Sequence, residues 1–222
     1  MNHFYGIVCS LHTDREVLNL LIEKMISTFK IVLWINYLSS KKEAENMSLV
    51  YPQQFETVIK LRDGKEVLVR PLKPNEDKEK LFEMYSTLSK ETNYYRFLNY
   101  QPVTRWIVEQ WCDVNYDDKM TILAIAKENG KERIIADSRY YLDKTTGEAE
   151  IAIVVHDDYQ GRGIGTKLLE YTIEVARKMG VKKLYAYLSP TNRKIIRVVK
   201  KLGFTVKYVS DLGEYRAELP LQ

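Results

Sequence analysis

Glu150 and the glycines that follow it are the residues whose type and spacing could do chemistry. The stretch Glu148-Ala149-Glu150-Ile151-Ala152-Ile153-Val154-Val155 sets carboxylates at the head of an apolar, β-branched run. A carboxylate held there can take a proton from a nucleophile in step with its attack. A little further on the chain reads Gln160-Gly161-Arg162-Gly163-Ile164-Gly165-Thr166, and Leu168, Leu169, Thr172, Ile173, Ala176 and Met179 then recur at helical spacing up to a stop at Gly180. Glycines let successive N–H groups turn toward one point with no Cβ in the way, and a helix N-terminus adds partial positive charge. Strand, turn and helix therefore predict an anion cradle suited to a pyrophosphate. It is not a Walker loop, because Thr166 and Lys167 follow Gly165 in the wrong order. Nor is it a dinucleotide fingerprint, which needs two residues where one separates Gly163 from Gly165.

Several elements must hold these groups in place. Thr57–Leu61 and Glu66–Val69 read as two strands around an Asp63-Gly64 turn. Asn75 is positioned to cap a helix carrying Leu81, Met84, Tyr85 and Leu88 on one face. The segment from Leu88 to Phe97 is polar and aromatic without helical periodicity, and a second helix is expected over Arg105 to Cys112. Thr121–Ala126 and Ile134–Tyr141 form a meander around Asn129-Gly130, and Gly147 turns the chain into the strand that bears Glu150. Lys183–Leu188 is the return strand. Asn192 then opens a helix with Ile195, Ile196, Val198, Val199 and Leu202 on one arc and Arg193, Lys194, Arg197, Lys200 and Lys201 on the other. The basic arc could meet a nucleotide phosphate, but a solvated face opposite a core face is the expected role. Phe204–Val209 and Tyr215–Leu219 close the sheet.

Composition narrows the function classes. Hydrophobic residues make up 45% of the 222 and charged residues 29%, as in an ordinary soluble globular protein. The net charge of +4 is too small and too evenly spread to imply nucleic-acid binding. Sixteen tyrosines suggest an aromatic-rich interior. Cys9 and Cys112 imply no disulfide framework, so a reducing cytoplasm is the expected compartment. His3, His12 and His156 share no metal-ligand spacing with them, and no metal is expected. Residues 1–46 form an apolar-rich, helix-prone extension ending in the polar linker Ser39–Asn46, with the main domain over 47–222 and Met47 as an alternative start. Glu23, Lys24 and Lys30 break the extension's apolar window, so no membrane span is expected.

Gln160-Gly161-Arg162-Gly163-Ile164-Gly165, directly after a Glu-x-apolar strand, resembles the Gln/Arg-x-x-Gly-x-Gly/Ala loop of the GNAT superfamily of N-acetyltransferases. The order of elements from about Leu49 to Leu221 is similar to the whole fold of that superfamily, a mixed, mostly antiparallel α/β sheet flanked by helices. Asn192 through Gly203-Phe204 resembles its second signature, with Val199 standing where many members carry a tyrosine that protonates the departing thiolate. A narrower likeness is carried by Tyr51-Pro52, Phe55-Glu56, Leu61-Arg62-Asp63-Gly64, Arg70-Pro71-Leu72-Lys73-Pro74 and Leu88-Ser89 through Arg96-Phe97. These resemble the Pat-type protein lysine acetyltransferases.

The resemblance implies acetyl-CoA as co-substrate. Backbone groups of Ile153, Val154 and Val155 would bind the pantetheine arm, and Gln160, Gly161, Arg162, Gly163, Ile164, Gly165 and Thr166 would hold the pyrophosphate, with Arg162 adding charge. Asn192 would anchor the arm from the other side. Glu150 would be the general base, its pKa raised by burial; the competing roles are an ion pair of Glu150 with Arg139 and a fallback base at Glu148. Tyr94, Tyr95, Arg96 and Phe97 are candidates for the acceptor side, and His156 is expected to pack the loop. The implied reaction is acetyl transfer to a lysine of a protein, with acyl-CoA synthetases or small chromatin proteins as acceptors. The alternatives are a small amine or protein N-terminus as acceptor, and a non-catalytic coenzyme A-binding module.

Overall fold

The computed structural model describes residues 50–221 with the exception of Asn129, and the expected extension over 1–46 lies outside them. In chain order the elements are β1 (Thr57–Lys60), β2 (Glu66–Pro71), α1 (Pro74–Ser86), α2 (Lys90–Phe97), α3 (Arg105–Cys112), β3 (Lys119–Glu128), β4 (Lys131–Asp143), β5 (Glu148–Val155), α4 (Ile164–Lys178), β6 (Lys183–Leu188), α5 (Arg193–Lys201), β7 (Thr205–Val209) and β8 (Glu214–Pro220). Short 3₁₀ turns lie at Gln53–Phe55 and Asp157–Tyr159. The strands make one open sheet in the order β1-β2-β3-β4-β5-β6-β8-β7. Only β5 and β6 run parallel, because α4 carries the chain back across the sheet between them, whereas turns and hairpins join most of the others.

Two local expectations change. Helix α1 starts at Pro74, whose preset φ and missing N–H suit a first helical position. The cap is supplied by Asp77, which accepts the Lys73 N–H at 2.7 Å, and not by Asn75. The helix ends at Ser86, leaving Leu88 beyond it. The stretch expected to be irregular contains α2, whose N-cap Ser89 accepts the Thr92 N–H at 3.1 Å. It leaves no apolar stripe in the sequence because its buried residues, Thr92 and Asn93, are both polar.

The core explains the rest. Ile164, Leu168, Leu169, Ile173 and Ala176 of α4 share one cluster with Ala149 and Ile151 of β5 and Leu184, Ala186 and Leu188 of β6. Fully burying each of the larger side chains is worth about 1.5–3 kcal/mol. The tyrosines divide: Tyr85, Tyr116, Tyr140 and Tyr159 are buried, but Tyr94, Tyr100, Tyr141 and Tyr208 are exposed, so the interior is less aromatic than the composition suggests.

One irregularity of the sheet makes the site. Strands β5 and β6 pair only at Glu148↔Lys183, Ala149↔Leu184 and Glu150↔Tyr185. Beyond Glu150 they part, although β5 stays paired to β4 as far as Val155. The β6-facing edge of Ile151–Val155 therefore has no strand partner. Among the described residues no helix is long and apolar enough to cross a membrane.

Candidate active site

The gap between β5 and β6 opens into a cavity of about 1140 Å³. Glu150 through Val155 line one wall, and Ala186, Tyr187, Leu188 and the start of α5 line the opposite one. Gln160, Gly161, Gly163, Ile164, Gly165 and Thr166 close one side. The tip of α2, with Tyr95, Arg96 and Phe97, reaches the same space.

The glycine loop has the geometry of an anion cradle. Gly163 sits at the N-cap of α4 with φ 89°, a left-handed conformation that costs other residues about 1–2 kcal/mol. It offers no side-chain cap bond, so the first N–H groups of α4 are not taken up by the N-cap residue. A Cβ on Gly165 would lie 3.3 Å from Val155 Cγ2, so the helix can approach the end of β5 this closely because the residue is glycine. Gln160 is tied back by its Nε2, which donates to the Val155 carbonyl at 3.1 Å and to Thr92 Oγ1 at 3.0 Å. Asn192 caps α5, its Oδ1 accepting the Ile195 N–H at 3.2 Å, and it lines the cavity. These residues fit a coenzyme A thioester: a free strand edge for an amide-bearing arm, and converging N–H groups for a diphosphate.

The charge around the loop comes from Arg62 and from part of the basic arc of α5. The Arg162 guanidinium, expected to add charge to the cradle, donates to the Asp158 carbonyl at 2.8 Å and lies over the Tyr159 ring. Arg62, in the β1–β2 turn, lines the cavity instead, its Nε 3.3 Å from where a Gly163 Cβ would stand. Arg193, Lys194 and Arg197 also line it, so part of the basic arc of α5 faces the site and not bulk solvent alone. A contact across about a hundred residues, such as Arg62 to Gly163, leaves no local signal in the sequence.

Glu150 is the last β5 residue paired with β6, and it is exposed at the cavity rather than buried beneath apolar neighbours as expected. By register its side chain stands between Tyr141 on β4 and Tyr185 on β6. Burial and the Glu150 carboxylate together push the Tyr185 phenol up. Among the described residues Glu150 has no ion pair. Arg139, its expected alternative partner, is fully buried and bound to Asp137. Glu148 is engaged by Lys183 at 2.6 Å and lies outside the cavity lining. His156 is buried as a packing residue, its Nε2 3.1 Å from Thr87 Oγ1 and its Nδ1 accepting the Asp158 N–H at 3.3 Å.

Beneath the tip of α2 runs a polar chain, buried at its centre. Arg96 Nε lies 3.4 Å from the Tyr85 hydroxyl, which donates to Asp137 at 3.0 Å; Asp137 pairs with Arg139, and Arg139 reaches the Tyr141 hydroxyl at 3.5 Å. The Arg139 guanidinium also lies 5.1 Å over the Trp111 ring. Burial pushes the Tyr85 phenol up to about 12, so it remains a donor to Asp137 at neutral pH. Among the described residues, no group of His, Cys, Asp and Glu is placed to hold a metal ion.

Comparison with known proteins agrees with this geometry. Residues 66–205 match the family described as the acetyltransferase (GNAT) domain. An acetyltransferase of Pseudomonas aeruginosa is 34% identical over 148 residues, covering 66% of this chain and 79% of that protein. The acetyltransferase Pat of Mycolicibacterium smegmatis is 32% identical over 162 residues, covering 72% of this chain; the chain spans 47% of that relative's length. The crystal structure of the GNAT domain of S. lividans PAT superposes with a TM-score of 0.69 at 32% identity, over 77% of this chain and 99% of that domain. The chain belongs to the GNAT acetyltransferases. It is an N-acetyltransferase that takes its acetyl group from acetyl-CoA.

Proposed function

We propose that this protein acetylates a lysine ε-amine of a protein substrate by direct attack on the thioester, with Glu150 as general base. The observation that carries the reading is the position of Glu150, a carboxylate with no ion pair among the described residues, exposed at the point where β5 and β6 part. The likeness of Tyr51-Pro52, Arg70-Pro71 and Leu88–Phe97 to Pat-type domains supports a protein lysine as acceptor.

Acetyl-CoA supplies the activated acetyl group. The chain's own residues supply the rest. A lysine of pKa about 10.4 is protonated at pH 7, and freeing its lone pair costs roughly 4.6 kcal/mol. Glu150 accepts that proton, directly or through one water, as the amine attacks. Its exposure leaves the carboxylate open to an incoming cation, and the flanking rings of Tyr141 and Tyr185 offer apolar surface to the lysine stem. The unpaired edge of Ile153, Val154 and Val155 pairs with the pantetheine arm as an added strand would, and a β5 N–H donates to the negative charge that develops on the carbonyl oxygen. Main-chain N–H groups from Gly161 to Thr166 hold the diphosphate, with Gln160 bracing the loop, Asn192 across the gap and Arg62 nearby. Val199 is buried, lines the cavity and carries no proton, so the departing thiolate is protonated by another donor or by water.

The test is isotopic. Protein, labelled acetyl-CoA and candidate acceptors, acyl-CoA synthetases and small chromatin proteins first, are incubated and digested for mass spectrometry. Label on lysine ε-amines with wild type, and its absence at matched times with Glu150→Gln, is the expected result. Label confined to α-amines or small amines would overturn the lysine reading. Equal labelling by both enzymes would overturn the base.

A further inference from the structure

The coenzyme loop and the acceptor wall meet at one carboxylate. Asp157 opens the 3₁₀ turn that leads from β5 into the glycine loop. It accepts the Ser89 main-chain N–H at 2.9 Å, the Ser89 hydroxyl at 2.7 Å and the Thr92 hydroxyl at 2.6 Å. Ser89 is the N-cap of α2, and Thr92 lies in its first turn. Thr92 Oγ1 accepts in turn from Gln160 Nε2 at 3.0 Å, so the first residue of the loop is one hydroxyl away from Asp157. These contacts are not needed to start the helix, because Ser89 already caps it by accepting the Thr92 N–H.

Helix α2 depends on such bonds more than its neighbours do. Ile164, Leu168, Leu169, Ile173, Val175 and Ala176 anchor α4, whereas the buried residues of α2 are the polar Thr92 and Asn93, with only Phe97 at its end packing partly against the core. Short helices take most of their stability from an apolar face, and one that buries little of it is placed by its hydrogen bonds. Burial acts against the Asp157 charge, yet the bonds from Ser89 and Thr92 outweigh it and hold the carboxyl below its ordinary range. The far end of α2 carries Tyr95, Arg96 and Phe97 into the cavity.

We propose that Asp157 is a positioning residue that fixes α2, and with it the acceptor wall, to the coenzyme loop, so that seating acetyl-CoA orders α2 before the acceptor docks. The inference rests on the reading of the glycine loop as the coenzyme site and of α2 as part of the acceptor wall. A ligand that immobilises Gln160 through Thr166 also immobilises the Gln160 amide, and Thr92 and Asp157 pass that constraint to Ser89. The coupling is reciprocal: a bound acceptor raises the affinity for acetyl-CoA by the same factor.

Hydrogen exchange on the full chain, with and without acetyl-CoA, tests this in wild type, Asp157→Ala and Thr92→Val, alongside steady-state kinetics. In wild type, acetyl-CoA is expected to slow exchange over both 160–167 and 90–97. In Asp157→Ala it slows 160–167 as before and 90–97 much less, and the KM for acceptor rises about tenfold while the Kd for acetyl-CoA alone, measured by calorimetry without acceptor, changes less than about twofold. Thr92→Val, which removes the bridging hydroxyl at nearly constant shape, gives the same pattern to a smaller degree and carries the test alone if Asp157→Ala does not fold. Equal protection of 90–97 in wild type and variants, or an acceptor KM unchanged in Asp157→Ala and Thr92→Val, overturns the coupling and leaves the coenzyme site standing. No protection of 160–167 in wild type overturns the coenzyme-site reading, and the coupling falls with it.

Discussion

On the coenzyme side of the cavity, β5, the glycine turn and α4 follow one another within residues 148–178, and the groups that meet there are mostly main-chain N–H. The acceptor side draws α1, α2, α3 and β4 from separate segments between 74 and 143 and joins them through side chains: Arg96 to Tyr85, Tyr85 to Asp137, Asp157 to Ser89 and Thr92. A site made of backbone keeps its shape as long as its glycines and its strand–helix packing are kept. A site made of long-range side-chain bonds can lose its shape through a change at a residue that touches no substrate. Within one fold, the wall we assign to the constant co-substrate is therefore rigid by local geometry, and the wall we assign to the acceptor is tunable.

Substitutions on the two sides should separate these behaviours. The largest effect is expected at their junction: Glu150→Gln should lower kcat by about 10²–10⁴-fold, with acetyl-CoA affinity by calorimetry within about twofold of wild type. Asp137→Ala should cost about 3–5 kcal/mol of stability, because it leaves the Arg139 guanidinium buried without its partner; denaturant unfolding measures it, and a loss below 1 kcal/mol would mean the acceptor side does not rest on this pair. Gly163→Ala should weaken acetyl-CoA binding by about 5–30-fold, the equivalent of the 1–2 kcal/mol a Cβ costs at positive φ. Arg62→Ala should weaken it less, by about fivefold at low salt and negligibly at high salt, as for an exposed charge near a phosphate; Arg162→Ala should weaken it less still, its guanidinium being turned onto Asp158 and Tyr159.

Acidification offers the mildest perturbation. The Asp157 carboxyl is held below its ordinary value in the folded state, so the stability it contributes is present above the unfolded pKa, about 3.9, and is lost as pH falls through the lower folded value. Protection over 90–97, relative to the intrinsic exchange rate at each pH, should therefore fall on acidification before protection in α4 does. Simultaneous loss of both would erase the distinction between the two walls.

The residues themselves determined whatever depends on short-range chemistry. Gly161, Gly163 and Gly165 after an apolar strand specify their turn, because few other residues tolerate the required φ or the close approach of α4 to Val155. The edges of the sheet, the meander, the crossover and the arcs of α5 follow from periodicity and turn residues in the same way, as does Asn192 at its cap. Tertiary structure decided that the polar Thr92 and Asn93 are the buried face of α2, that Arg62 lines the cavity while Arg162 turns to Asp158, that Glu148 pairs with Lys183 while Glu150 has no ion pair among the described residues, and that Asp157 bonds Ser89 and Thr92. These outcomes turn on distances between residues far apart in the chain. Local propensity has no term for such distances; they exist only once the sheet has brought its strands into register.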